Sequence, residues 1–160
     1  MGRSKIAVIG LGNYLLCDEG AGLHTIDLLR NKKFSKNVDL VDAGTPGMNL
    51  LHQFEDRKKI IFVDSGNCGL NPGEFIRFRP DEVKSRKTRK NYSLHEFDLI
   101  SFLESARSLG KIDETDIIIY CIQIDKIEMS QEPSEKIKKT LPLLSEQIYF
   151  EIENGGIAHA

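Results

Sequence analysis

The stretch that most constrains the fold is residues 5–22, KIAVIGLGNYLLCDEGAG. An apolar run, Lys5-Ile-Ala-Val-Ile9, breaks at Gly10-Leu-Gly12-Asn13. After the linker Tyr14-Leu-Leu-Cys17, two carboxylates, Asp18 and Glu19, stand directly before Gly20-Ala-Gly22 and an amphipathic segment. This reads as a buried strand, a tight glycine turn at its carboxyl end, and a helix. A strand apolar on both faces belongs to a parallel sheet covered by helices. In open α/β sheets the carboxyl edge of the strands is where ligands bind. Two adjacent acids at that edge need a reason.

The remaining chain continues the alternation. Leu23, Ile26, Leu28 and Leu29 are spaced for a helix running to Lys33, and Val38-Asp-Leu-Val-Asp42 reads as a short strand ending in Ala43-Gly44. Thr45 as N-cap and Pro46 at the first helical position predict a second helix through Leu50, Leu51 and Phe54. Lys58–Val63 is a third strand, ending at Asp64-Ser65-Gly66. After the turn Asn71-Pro72-Gly73, Glu74–Phe78 alternates like an antiparallel edge strand. Pro80–Asn91 is polar, carries Lys84, Arg86, Lys87, Arg89 and Lys90, and reads as a surface loop. Ser93 and Glu96 match a capping box for a helix buried through Phe97, Leu99, Ile100, Phe102 and Leu103 and stopped by Gly110. Asp116–Ile122 is the last strand. A closing helix runs from Ser134 past Ile137, Leu141 and Leu144 to Ile152, with Pro142 expected to kink or divide it.

Strands alternating with helices predict an α/β fold: a mostly parallel sheet of about five strands, helices on both faces and one antiparallel edge strand. Residues 1–153 form a single domain on this reading, and 154–160 a frayed tail. Forty per cent hydrophobic and 29% charged residues describe an ordinary globular chain, and the net charge of −2 argues against a general nucleic-acid binder. No apolar run is long enough to span a bilayer, and the N-terminus lacks a signal-peptide core, so no membrane partner is expected. Cys17, Cys68 and Cys121 are odd in number, widely spaced and without a C-x-x-C pair. That usage fits a reducing cytoplasm and excludes a cysteine-based structural zinc site. Nothing in the helical patterns calls for a coiled-coil partner, so a monomer is expected.

Several familiar motifs are incomplete. Gly10-x-Gly12 invites a dinucleotide reading, but Leu15 stands where the third glycine belongs, and Asp18 and Glu19 would repel a pyrophosphate. No nucleotide or organic cofactor is therefore expected. The Walker A and G-x-S-x-G patterns are absent. His95-Glu96 opens like a zincin helix, but Leu99 occupies the second histidine's place.

What remains is a constellation. Glu19 follows the first strand, Asp64 ends the third, and His95 lies in the first turn of a later helix. In a parallel sheet all three reach one edge. Two carboxylates and an imidazole suit nickel, iron, manganese or zinc with coordination positions left open, which favours a metal that arrives already partly ligated. Each residue also has a plainer reading. Asp18 is a natural helix N-cap, Glu19 a first-turn acid complementing the helix dipole, Asp64 an Asx-turn residue, and His95 a surface or capping histidine. His24 and His52 read as ordinary, partly exposed helical residues. Cys17 fits a small buried side chain better than a nucleophile. The basic segment 84–90 is a solvated loop or a guide for an acidic substrate segment.

These residues resemble the nickel–iron hydrogenase maturation endopeptidases. Gly10-Leu-Gly12-Asn13 with Leu16-Cys-Asp18-Glu19-Gly20-x-Gly22 is similar to that family's G-x-G-N…D-E-G-x-G opening. Val41-Asp42-Ala-Gly44-Thr45-x-Gly47…Leu50-Leu51 resembles its D-G-G-T-x-G…L-L block. Phe62-Val-Asp64 with Pro72-Gly73, then Ser93-x-His95, then Cys121-Ile122-Gln123 with Ile127-Glu128, follow the later blocks in order. The resemblance implies a cytoplasmic peptidase. It would remove the C-terminal extension of a [NiFe] hydrogenase large-subunit precursor after nickel insertion. It also implies that Glu19, Asp64 and His95 contact nickel carried by that precursor and serve as the catalytic set. Ala43, Ser65-Gly66 after Asp64, the missing glycine after His95, and Cys121 and Ile124 in place of the usual Gly and Pro depart from the family pattern. None touches the three ligands; all bear on the groove that receives substrate. The alternative is a non-proteolytic nickel-site checkpoint or chaperone of hydrogenase assembly.

Overall fold

The apolar run after Lys5 forms β1, Ile6–Leu11, buried at every residue after Ile6. The computed structural model describes residues 2–45, 47–84 and 94–155. Four further strands follow: β2 (Val38–Gly44), β3 (Lys59–Gly66), β4 (Phe75–Phe78) and β5 (Asp116–Gln123). The α-helices are α1 (Ala21–Leu29), α2 (Pro80–Lys84), α3 (Leu94–Ser108) and α4 (Glu135–Asn154). Cys17–Gly20 and Met48–Phe54 are 3₁₀ segments.

The sheet order is β2-β1-β3-β5-β4, with β4 antiparallel to β5 and the other pairs parallel. This is the five-stranded, mostly parallel sheet with one antiparallel edge strand that the pattern predicts. From β1 the chain winds outward to β2, then crosses to β3 on the other side of β1. The winding direction reverses between β1 and β3, and the crevice at their carboxyl ends is the switch point.

Alternate residues of each strand feed two cores. Val8, Ile61, Val63, Ile118 and Tyr120 pack against Ile26 and Leu29 of α1 and Ile137, Leu144 and Ile148 of α4. On the other face Ile9, Phe62, Ile119 and Cys121 pack against Leu99, Leu103 and Ala106 of α3 and Leu50 and Phe54 of the second 3₁₀ segment. Truncating one of the leucines or isoleucines among them to alanine costs about 2–5 kcal/mol. At the antiparallel edge the wholly buried Glu151 of α4 receives Arg77 Nη2 of β4 at 2.6 Å and the Tyr120 hydroxyl of β5. Lys59 Nζ lies 3.5 Å from the same carboxylate, so one acid joins three strands to α4.

Several local expectations need correction. The first helix ends at Leu29, not Lys33, because Asn31 and Lys32 turn back onto Leu28 and Leu29 in three-residue steps. The second helix does not start at a Thr45 cap. β2 runs on to Gly44, the cap is Gly47, and Met48–Phe54 winds as 3₁₀ with Leu50 N–H on the Gly47 carbonyl. Pro46 lies outside the described residues. Residues 80–84, read as loop, form α2. The rest of that basic stretch and Ser93 of the capping box lie outside the described residues, as do 156–160 of the tail. Gly110 does stop α3: at φ +70° it lets Lys111 N–H reach the Ala106 carbonyl and its own N–H reach Arg107, a Schellman closure. Pro142 lies within α4 without dividing it. Among the described residues no helix is long and apolar enough to cross a membrane.

Candidate functional site

Three glycines bring the acid-bearing turn onto the switch point. A Cβ on Gly22, at the start of α1, would stand 2.3 Å from the Val63 carbonyl oxygen and 2.5 Å from that of Leu11. A Cβ on Gly10 would meet Ile26 at 2.6 Å. Gly12 has φ +136°, and a Cβ there would lie 1.9 Å from the Glu19 carbonyl oxygen. The Asn13 N–H donates to that same oxygen at 3.0 Å, and Gly12 N–H donates to Gly44 at 2.9 Å. The opening glycines therefore serve backbone contact between β1, β2 and the turn.

Asp18 and Glu19 have different work. Asp18 is wholly buried. Its Oδ2 accepts the backbone N–H groups of Asp125 and Lys126, each at 2.8 Å, and the Ser134 hydroxyl at 2.9 Å; its Oδ1 accepts the Ser134 N–H at 2.7 Å. Burial alone would raise this carboxyl's pKa, but the donors from Ser134, Lys126 and Asp125 together hold it below the ordinary carboxylate range. The expected α1 cap is thus corrected. α1 is capped by Gly20 without a side-chain bond, and Asp18 instead ties the first turn to the 125–134 loop and the start of α4. Neighbouring Cys17 is buried, with Sγ 3.6 Å from Asp18 Oδ1. Burial and the adjacent charge both push its thiol up, away from nucleophilic use.

Glu19, half-buried, follows β1 on this turn. Asp64 lies inside β3 and does not end it, because β5 continues the ladder past it to Gln123; Asp64 is in register with Cys121. The β1 ladder stops one residue earlier, at Gly10 and Val63, so Asp64 is the first β3 residue past the β1 pairing. Its Oδ1 accepts the Ser65 N–H at 2.8 Å, an Asx-like contact made within the strand. His95 is the second residue of α3. Because α3 leads into β5, whose first residue lies at the opposite edge, its N-terminus lies at the carboxyl edge with Asp64. The structure thus brings the backbones of Glu19, Asp64 and His95 to one edge. Among the described residues no three metal-ligating side chains cluster.

Two clefts flank the turn. One of about 260 Å³ is lined by Asp42, Thr45, Asn49 and Gln53 beside the end of β2. The other, about 370 Å³, is lined by Cys17, Lys126, Ser130 and Ser134. His52 is exposed, and His24 is half-buried against Tyr14 at 5.1 Å between ring centroids. Gln123 entered the sequence reading as part of the Cys121-Ile122-Gln123 block, without a structural role. Its Oε1 accepts the N–H groups of Cys68 at 2.7 Å and Leu70 at 3.3 Å, fixing the segment after β3. Its bonding role carries no local signal beyond that block and its place at the end of an apolar strand.

Fold and edge together define an α/β protein that presents carboxylates at its switch point. A family model described as hydrogenase maturation protease matches residues 24–151, and the chain belongs to that family. It is 32% identical over 123 residues to the hydrogenase expression/formation protein HupD of Bradyrhizobium diazoefficiens, covering 76% of this chain and 64% of that protein. The chain thus spans just under two thirds of that relative. Against HupD of Rhizobium leguminosarum the match is 27% over 155 residues, 96% of this chain and 77% of the relative. Among solved structures, the hydrogenase maturating endopeptidase HybD from E. coli superposes with a TM-score of 0.81 at 25% identity, over 96% of this chain and 94% of that one. A [NiFe] hydrogenase maturation protease HybD from Thermococcus kodakarensis shares the fold, with a TM-score of 0.78 at 23% identity over 92% of this chain and 99% of that one. The family resemblance read from the motifs is borne out.

Proposed function

We propose that this protein is a cytoplasmic, monomeric endopeptidase that removes the C-terminal extension of a nickel-loaded [NiFe] hydrogenase large-subunit precursor. The observation that carries the reading is the placement of the Glu19 turn, Asp64 of β3 and the His95-bearing end of α3 at one edge of the sheet, in a chain of the hydrogenase maturation protease family. Nickel belongs to the substrate in this scheme. Two carboxylates and an imidazole are a donor set that fits it while leaving positions for the precursor's own ligands. Bound there, it supplies Lewis acidity toward the scissile carbonyl or a water.

The chain's own residues bind and orient. The glycine contacts hold Glu19 over the crevice, and Ser65 N–H fixes one Asp64 oxygen. The polar cleft beside β2 offers hydrogen-bonding side chains to an extended peptide leaving the metal.

The test is co-expression with each candidate large subunit, with and without nickel, read by intact mass. Loss of the extension only with nickel and with Glu19 intact supports the reading. A stable complex with nickel-loaded precursor and no loss of mass would replace it with the checkpoint role.

A further inference from the structure

Cys68 and Cys121 are 53 residues apart in sequence, and the fold presses them together: their Sγ atoms stand 2.6 Å apart, inside non-bonded contact for two sulfurs. Both are thiols in this structure. The arrangement has identifiable causes. Cys121 lies on the α3 face of β5, packed with Phe62 and Leu99. It is in register with Asp64, and alternation along β3 puts Asp64 on the same face as Phe62. Cys68 packs against the same cluster from the segment after β3. That segment is held by Gln123, which accepts the Cys68 and Leu70 N–H groups, and by the Ile124 N–H donated to Gly66 at 3.1 Å. The third thiol, Cys17, is engaged with Asp18 at the first turn.

We propose that Cys68 and Cys121 form a reversible dithiol–disulfide couple on the wall of the acid-bearing edge. Of the two, Cys68 is the half-buried and more accessible, so it is the entry point. Its thiolate attacks one sulfur of a low-molecular-weight disulfide, forming a mixed disulfide and expelling one small thiol. Cys121 then attacks the Cys68 sulfur and expels the second. Two protein thiols and one small disulfide become one protein disulfide and two small thiols; the couple is oxidised by two electrons, which the reagent takes up. The bond ties the Gly66–Leu70 segment to β5 immediately beside Asp64. Intracellular disulfides of this kind are typically transient and redox-sensing. The couple rests on position alone and does not depend on the proposed peptidase reaction.

The experiment treats the folded full chain with glutathione disulfide, quenches and denatures it in an alkylating reagent, and maps the peptides by mass. The expected product has the Cys68 and Cys121 peptides linked, lighter by two hydrogens than the dithiol, with Cys17 alkylated; dithiothreitol restores both thiols. In Cys68→Ser, Cys121 is expected to remain fully alkylatable. Three alkylated cysteines in the treated wild type overturn the proposal. So does a stable glutathione adduct on Cys68 without linked peptides, or a Cys17–Cys121 link.

Discussion

The Asp18 carboxylate receives both the backbone N–H and the hydroxyl of Ser134, so the first turn of the chain is bonded to the residue that opens the last helix. With the Asp125 and Lys126 N–H groups on its other contacts, Asp18 is spent on structure. Glu19, one residue on, is the acid assigned to the edge in the proposed function. On that proposal the adjacent acids divide scaffold from site.

That division predicts opposite phenotypes. Asp18→Ala leaves several buried donors without their acceptor, each costing about 1–3 kcal/mol, and should destabilise the chain by ~3 kcal/mol or more. Glu19→Gln should leave the melting temperature nearly unchanged and abolish precursor processing. Thermal unfolding of both variants, beside the cleavage assay, checks this. A Glu19→Gln protein that processes normally would remove Glu19 from the site.

Gly12→Ala should fail more severely than its single methyl suggests. The new Cβ meets the Glu19 carbonyl oxygen at 1.9 Å, a backbone atom that cannot rotate away, and φ +136° disfavours any side chain. A loss on the order of 3 kcal/mol is expected. Gly44→Ala is the contrast: its φ of +63° carries strain, but among the described residues nothing lies within 4 Å, so a loss of only about 1 kcal/mol is expected. Equal losses in denaturant unfolding would mean that close backbone approach is not what Gly12 provides.

The same positions explain what the sequence could reveal. Glu19, Asp64 and His95 could be assigned to one edge because apolar strands and a glycine turn define a parallel sheet, whose carboxyl ends coincide. The role of Asp18 was hidden because its partners, Asp125, Lys126 and Ser134, follow more than 100 residues later. Thr45 misled for a local reason: β2 continues two residues past Asp42, so the cap falls at Gly47. Neither Glu151, a polar residue on an otherwise amphipathic helix, nor the meeting of Cys68 with Cys121 leaves a mark in local periodicity. Both depend on which strands become neighbours.

Ser65 offers a test in the stabilising direction. It is 2% exposed, and among the described residues its Oγ has no hydrogen-bond partner. Burying a hydroxyl without a partner is unfavourable, so Ser65→Ala should raise stability by about 1 kcal/mol. Denaturant unfolding reads the change directly. A loss of similar size would mean that the hydroxyl makes a bond in solution.

Acid should unfold the protein through two particular carboxylates. Burial would raise the Glu151 pKa, but hydrogen bonds from Arg77 and Tyr120 and the charges of Arg77 and Lys59 hold it below its ordinary value, as the 125–134 donors do for Asp18. A carboxyl with a depressed folded pKa binds protons more readily when unfolded. Its contribution is therefore complete above the unfolded pKa, about 4 to 4.5, and is lost as pH falls through the folded value. At pH 7, Glu151→Gln leaves Arg77 without its buried counter-ion and should cost about 3–5 kcal/mol. The variant has no carboxyl to protonate there, so between pH 5 and pH 3 its stability should fall less than the wild type's, and the two curves should converge. Urea unfolding at intervals across that range gives the comparison, and parallel curves would show that Glu151 does not drive the acid transition.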